Sequence, residues 1–233
     1  QCHMPSPTLV NGFPLRNIAP GNGGVDRDPA SIHAHTFPGS LSLDLLTNAV
    51  RLDARARMEA GRVTASVTVT NDRTGHHVPT DSPLRQMILL VRAFDAAGEQ
   101  LAQLSGPRIP SWGGAGDPQK GCLAGLPGKG FAKILQELWT EVAPTGAYWN
   151  QTRLLSDTRL AAFASDSSAY AFEASGERPF SVEVTLLYRR AFKALADQKK
   201  WSDPDIVMAS RRFVVGRPKE PVEPVDGLQV GER

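Results

Sequence analysis

The chain has 233 residues, 41% hydrophobic and 21% charged, the balance of a folded globular protein rather than a disordered one. Its 26 Lys and Arg against 24 Asp and Glu give a formal net charge of +2, which argues against the dense basic face of a nucleic-acid-binding protein. No apolar run reaches the roughly 18 residues of a membrane span.

Residues 1–40 are dominated by Gly, Pro, Asn, Ser and Asp, and carry neither a helical nor a strand period. So apolar-poor a segment needs a cofactor or a partner domain to pack against if it is to be ordered. It holds His3, His33 and His35 of the five histidines. Past residue 40 the texture changes. Leu41, Leu43 and Leu45 alternate, as do Val63, Ala65, Val67 and Val69, and a period of two marks strands with one buried face.

Gln86–Asp95 reads as a central strand turning at Gly98 into a hairpin with Gln100–Leu104. Pro107–Gly130 is rich in Gly and Pro and reads as a long surface loop. Phe131–Leu138 and Arg190–Lys200 resemble short helices. Ala169–Ala174 and Phe180–Tyr188 flank Ser175–Arg178 as a second hairpin, and Ile206–Val215 is a last strand. The pattern predicts an immunoglobulin-like two-sheet β-sandwich over residues 41–217, preceded by the irregular segment 1–40 and followed by an extended or disordered tail, 218–233.

Two constellations bear on chemistry. His33 and His35 are one residue apart, so in extended chain they point the same way, whereas the adjacent His76 and His77 face opposite ways. Three imidazoles, from His33, His35 and one of His76 and His77, would suit zinc or copper. The second constellation is Gln1-Cys2-His3-Met4-Pro5. In the c-type haem motif C-x-x-C-H the second Cys forms a thioether and the His ligates iron. Cys2 and His3 fit its last two positions. The first Cys would stand two positions before Gln1.

Cys-His-Met-Pro, His35-Thr36-Phe37-Pro38-Gly39 and Gly75-His76-His77-Val78-Pro79-Thr80, with Pro83–Val91, Ala147-Tyr148-Trp149, Asp157-Thr158-Arg159 and Leu187–Phe192, resemble the C-terminal region of multihaem c-type cytochromes. The resemblance runs to about Val215, and with the first half of the haem motif missing it implies the N-terminally truncated tail module of a longer haem protein. It implies haem c with Cys2 as thioether and His3 as axial ligand, and His35 and His76 as distal iron ligands, with His33 and His77 beside those positions as weaker candidates. Iron held by two histidines has no open position, so the resemblance implies an electron carrier rather than a catalyst. It also implies a periplasmic or extracellular bacterial location, with other haem domains of the same parent protein and redox proteins as partners. One alternative is the terminal domain of a multihaem oxidoreductase whose catalytic haem lies upstream. Another is a haem-free β-sandwich that binds a metal or a partner.

Arg85, Arg153, Arg159 and Arg189 could meet haem propionates, but ion pairs within the protein are the more ordinary role. Asp157-Thr158-Arg159 reads as a structural turn whose Asp caps backbone N–H groups. The four tryptophans, Trp112, Trp139, Trp149 and Trp201, read as packing residues. Cys122 reads as an ordinary thiol.

Overall fold

The structure is a computed structural model and describes residues 3, 4 and 6–216. The expected tail, 218–233, and Cys2 lie outside the described residues. The chain divides into two compact units, Gln1–Leu46 and Thr47–Arg233.

The first unit is mostly irregular. Strands β1 (Leu9–Val10) and β2 (Phe13–Pro14) form a short hairpin. Its turn is Asn11-Gly12, both at positive φ (51° and 82°), the residues a tight hairpin turn demands. Thr8 donates from both its backbone N–H and its hydroxyl to the carbonyl of Ile32, tying the two ends of the segment together. The strand expected from the alternation of Leu41, Leu43 and Leu45 is instead α1, Leu43–Thr47. The Ser42 hydroxyl accepts from the N–H of Leu45, a cap that starts a helical turn, and three leucines are too few to enforce a strand.

The second unit is mainly β, with two antiparallel sheets making the expected sandwich. The four-stranded sheet contains β3 (Arg51–Glu59), β4 (Arg62–Thr70), β6 (Gln103–Ser105) and β9 (Ser165–Glu173), in the order β3-β4-β9-β6. The five-stranded sheet contains β5 (Gln86–Phe94), β7 (Gly128–Glu137), β8 (Thr152–Asp157), β10 (Phe180–Arg189) and β11 (Ile206–Val215), in the order β11-β10-β5-β7-β8. Alternate residues of β4 and β10, among them Val63, Val67, Val182 and Val184, are fully buried. Each such side chain contributes roughly 1.5–3 kcal/mol by leaving water.

Several expectations are corrected. Phe131–Leu138 is not a helix: it lies in β7, a strand flanked by β5 and β8. There Phe131, Ala132 and Ile134 are buried, and an apolar run covered on both faces loses the period that separates strand from helix. Of the two expected hairpins, the first forms only at its tip, where Phe94 bridges Gln100 and the Leu101 N–H donates to the Ala93 carbonyl, and the second does not form. The chain turns at Asp95–Glu99, where the Asp95 carboxylate accepts from the Glu99 N–H. It then crosses to the other sheet, so that β6 pairs with β9. Likewise Ser175–Arg178 carries the chain from β9 in one sheet to β10 in the other.

The stretch expected as a surface loop is a lid on the five-stranded sheet. Ile109 and Leu123, backed by Trp112 and Leu126, pack on Ile88 and Leu90 of β5. Phe192, just before helix α2 (Lys193–Lys199), packs with Trp112 on Ala132 and Ile134 of β7. Trp112 lies so close to β7 that a Cβ on Gly130 would fall 2.1 Å from its ring. Among the described residues, no helix is long and apolar enough to cross a membrane.

Candidate functional site

In the first unit, His3 and Met4 lie alongside residues 33–38. The Nδ1 of His3 is 3.1 Å from the carbonyl oxygen of Pro38, and the Nδ1 of His33 is 3.1 Å from that of Met4. His35 meets Phe37 edge to face, ring centres 5.8 Å apart. His3 and His33 are thus brought onto one short pairing. A carbonyl only accepts, so each of these Nδ1 atoms carries the proton and the lone pair sits on Nε2. This is the tautomer and second contact that metal-bound histidines use. His33, ranked below His35 from sequence, has the carbonyl contact, and His35 has the Phe37 ring.

The unit leaves much apolar surface uncovered: Leu9, Phe13, Ile18, Val25, Phe37 and Leu41 are all exposed. Exposed apolar side chains together with histidines in this tautomer are the kinds of cover and donor that a porphyrin requires.

In the second unit, His76 and His77 sit on the loop between β4 and β5. The Nδ1 of His76 is 2.9 Å from the carbonyl of His77, giving the same tautomer as His3 and His33. Asp157 has its carboxyl held below its ordinary range chiefly by the hydrogen bond from Arg159, working against burial, with the smallest part from nearby His77. The loop hangs on Asn71, which is 0% exposed. Its amide donates to the carbonyls of His76 (2.8 Å) and Leu160 (3.1 Å), and its Oδ1 accepts the Thr74 hydroxyl at 2.6 Å. The sequence reading missed Asn71; the one signal was a short amide three residues before a threonine, a spacing that favours local side-chain turns.

Among the described residues, no three His, Cys, Asp or Glu side chains group as a metal ion would need.

The arginines take their ordinary roles. Arg85 pairs with Asp81, Arg159 with Asp157, and Arg153 donates to Gln136. Arg189 is 5% exposed. It grips Asp205 with two nitrogens (2.7 and 2.6 Å) and donates to the carbonyls of Gly113 (2.8 Å) and Gly121 (2.7 Å), latching the lid to β10. Asp157 accepts the Arg159 N–H as the expected capping turn. Cys122 is a buried free thiol.

The tryptophans divide. Trp112 packs under the lid, but Trp139 (85%), Trp149 and Trp201 are exposed, which corrects the packing role given to them. Trp139 and Trp149 flank the β7–β8 turn. Glu137 holds that turn by accepting hydrogen bonds from Thr140, Thr145 and Asn150, so the aromatics are not needed to pack it.

No protein-family model matches the chain, and no curated protein matches it. Among solved structures it is similar to a penta-heme cytochrome c552 from Thermochromatium tepidum, at 21% identity and a TM-score of 0.58. The match covers 78% of this chain and 44% of that one, so the chain spans less than half the length of the cytochrome it resembles. At that identity the likeness is one of fold.

Proposed function

We propose that the chain is a module of a c-type multihaem cytochrome and serves electron transfer. The observation that carries this reading is the shared state of His3, His33 and His76: each has Nδ1 at a backbone carbonyl, the second contact that metal-bound histidines use. The uncovered apolar side chains of the first unit and the fold likeness to a penta-heme cytochrome support it further. Cys2 would bind haem c by a thioether and His3 would ligate its iron. His76, with His35 or its neighbour His33, would supply distal ligands. Haem would supply a one-electron iron couple. The chain's own part is to hold imidazoles in one tautomer, to cover the porphyrin with apolar side chains and to keep water from it. Two histidines on one iron leave no position for substrate, so the module carries electrons.

Haem attachment of this type places the protein in the periplasm or outside the cell, with other haem domains of its parent and redox proteins as partners. The test is the visible spectrum and intact mass of the natural-length protein made in a host with c-type maturation. Sharp low-spin Soret and α bands with the mass of covalent haem are expected. A colourless protein of unmodified mass would overturn the reading.

A further inference from the structure

We infer that Asn71 is the positioning residue for His76, acting through the His76 carbonyl with Thr74 as its brace. The inference rests on the proposal that His76 ligates iron, and adds to it the group that sets the ligand's direction.

Asn71 sits just past the end of β4, and its backbone is fixed from both sides. Its N–H donates to the carbonyl of Ala164, and its carbonyl accepts from Phe163 at 2.7 Å. Its buried amide uses both ends. The Nδ2 donors reach the His76 and Leu160 carbonyls, so one side chain ties the histidine loop to the chain that returns after β8. A backbone ladder between Val78 and Leu160, 2.9 Å in each direction, closes the far side of the same loop. The residues from 71 to 78 are thus clamped at their start, at His76 and at their end.

Thr74 sharpens the clamp. Its hydroxyl lies 2.6 Å from the Asn71 Oδ1 and 3.0 Å from the His76 carbonyl. It has one proton to give, and the shorter contact takes it. That leaves the His76 carbonyl to the Asn71 amide, and fixes which end of the amide is nitrogen. With its carbonyl held, His76 has its backbone direction set. Its ring then closes onto the His77 carbonyl, which sets the tautomer. An ordinary surface histidine needs none of this. A ligand must keep one nitrogen aimed within a narrow cone, and a buried amide with two acceptors and two donors around it supplies such rigidity.

Asn71→Asp is the sharpest perturbation: it keeps the shape and replaces the two donors by an acceptor facing two carbonyls. Thr74→Val removes only the hydroxyl and serves as the second variant if Asn71→Asp does not fold. Thr74→Ser keeps the hydroxyl and should behave as the parent. The first readout needs no haem: the ring tautomer of His76 by nitrogen NMR on the haem-free chain. The Nδ1–H form should dominate in the parent and in Thr74→Ser. Its ratio to the other tautomer should fall by about fivefold in Asn71→Asp and Thr74→Val, the factor one hydrogen bond sets.

The second readout is the spin state of the haem-loaded protein, with His76→Ala as control. High-spin character should rise in His76→Ala and, to a smaller extent, in the Asn71 variant. A folded Asn71→Asp or Thr74→Val with the parent's tautomer ratio would overturn the inference. A shifted tautomer together with an unchanged spectrum in His76→Ala would leave Asn71 as the positioning residue and remove His76 from the iron.

Discussion

Replacing Arg189 by Met should destabilise the sandwich unit by about 3 kcal/mol. The guanidinium joins β10, the lid and the segment before β11. It uses three nitrogens on the Asp205 carboxylate and the carbonyls of Gly113 and Gly121. Methionine fills similar space but donates nothing. Removing one partner of a buried ion pair costs roughly 3–5 kcal/mol, because the other charge stays behind. Here the lower end applies. Asp205 keeps 21% of its side chain exposed and lines a cavity of about 630 Å³ with Gly121, so water can reach part of what is orphaned.

A unit of this size melts about 2–4 °C lower per kcal/mol, so the midpoint should fall by roughly 6–12 °C. Circular dichroism measures this, and hydrogen exchange should show the lid amides opening first. In the double variant Arg189→Met/Asp205→Asn the loss should be smaller than the sum of the singles by at least about 1.5 kcal/mol, since no lone charge remains. A midpoint within about 2 °C of the parent for Arg189→Met, or strict additivity in the pair, would refute this account of the latch.

Gly130→Ala should cost about 1–3 kcal/mol, because its Cβ would stand 2.1 Å from the Trp112 ring; a thermal melt checks it, and Trp112→Leu in the same chain should recover part of the loss. Glu137 has its carboxyl held below the ordinary 4.5, chiefly by the Thr140 hydroxyl and next by Thr145, against burial, with a smaller part from Asn150. A lowered folded value means the contribution is present above pH 4.5 and lost as pH falls through the folded value. The stability gap between the parent and Glu137→Gln should therefore be full at pH 6 to 7 and close in acid, as measured by denaturant melts across pH. In the haem-loaded protein, His33→Ala and His35→Ala should separate the neighbours: the one that ligates iron converts low-spin haem to high-spin, and the other leaves the spectrum unchanged.

Strands with one buried face were legible because a period of two survives in them, as in Val63, Ala65, Val67 and Val69 or along Phe180–Tyr188. The same signal stands in β3, where Leu52, Ala54, Ala56 and Met58 alternate with charged residues. The runs β5 and β7 differ from these because the lid buries their second face. In β5 the run still read as a strand, while in β7 it read as a helix. The crossings after β5 and β9 were illegible for a simpler reason. A tight turn fixes local geometry, and only the pairing of distant strands decides whether the chain stays in the sheet.

The histidines were legible as ligand types, and their tautomers were not. The carbonyls that fix them come from residues as far off as Pro38 for His3 and Met4 for His33. Arg189 was legible as a cation of interest, but its partners lie 16 to 76 positions away.

The order of strands in the two sheets also sets how the sandwich is assembled in time. Hairpins β3–β4 and β7–β8 can close early, since their partners are near in sequence. The ladders that complete the sheets join remote segments: Thr68 meets Ser167 across 99 positions, and Arg92 meets Glu183 across 91. Loop closure of that length must be met before the contacts repay it, which places folding of such sandwiches at roughly milliseconds to seconds. Strand β5, at the centre of its sheet, has no neighbour on one side until β10 exists. A chain growing from its N-terminus therefore holds β5 with one bare edge until Arg189 has been made, so the five-stranded sheet is completed late.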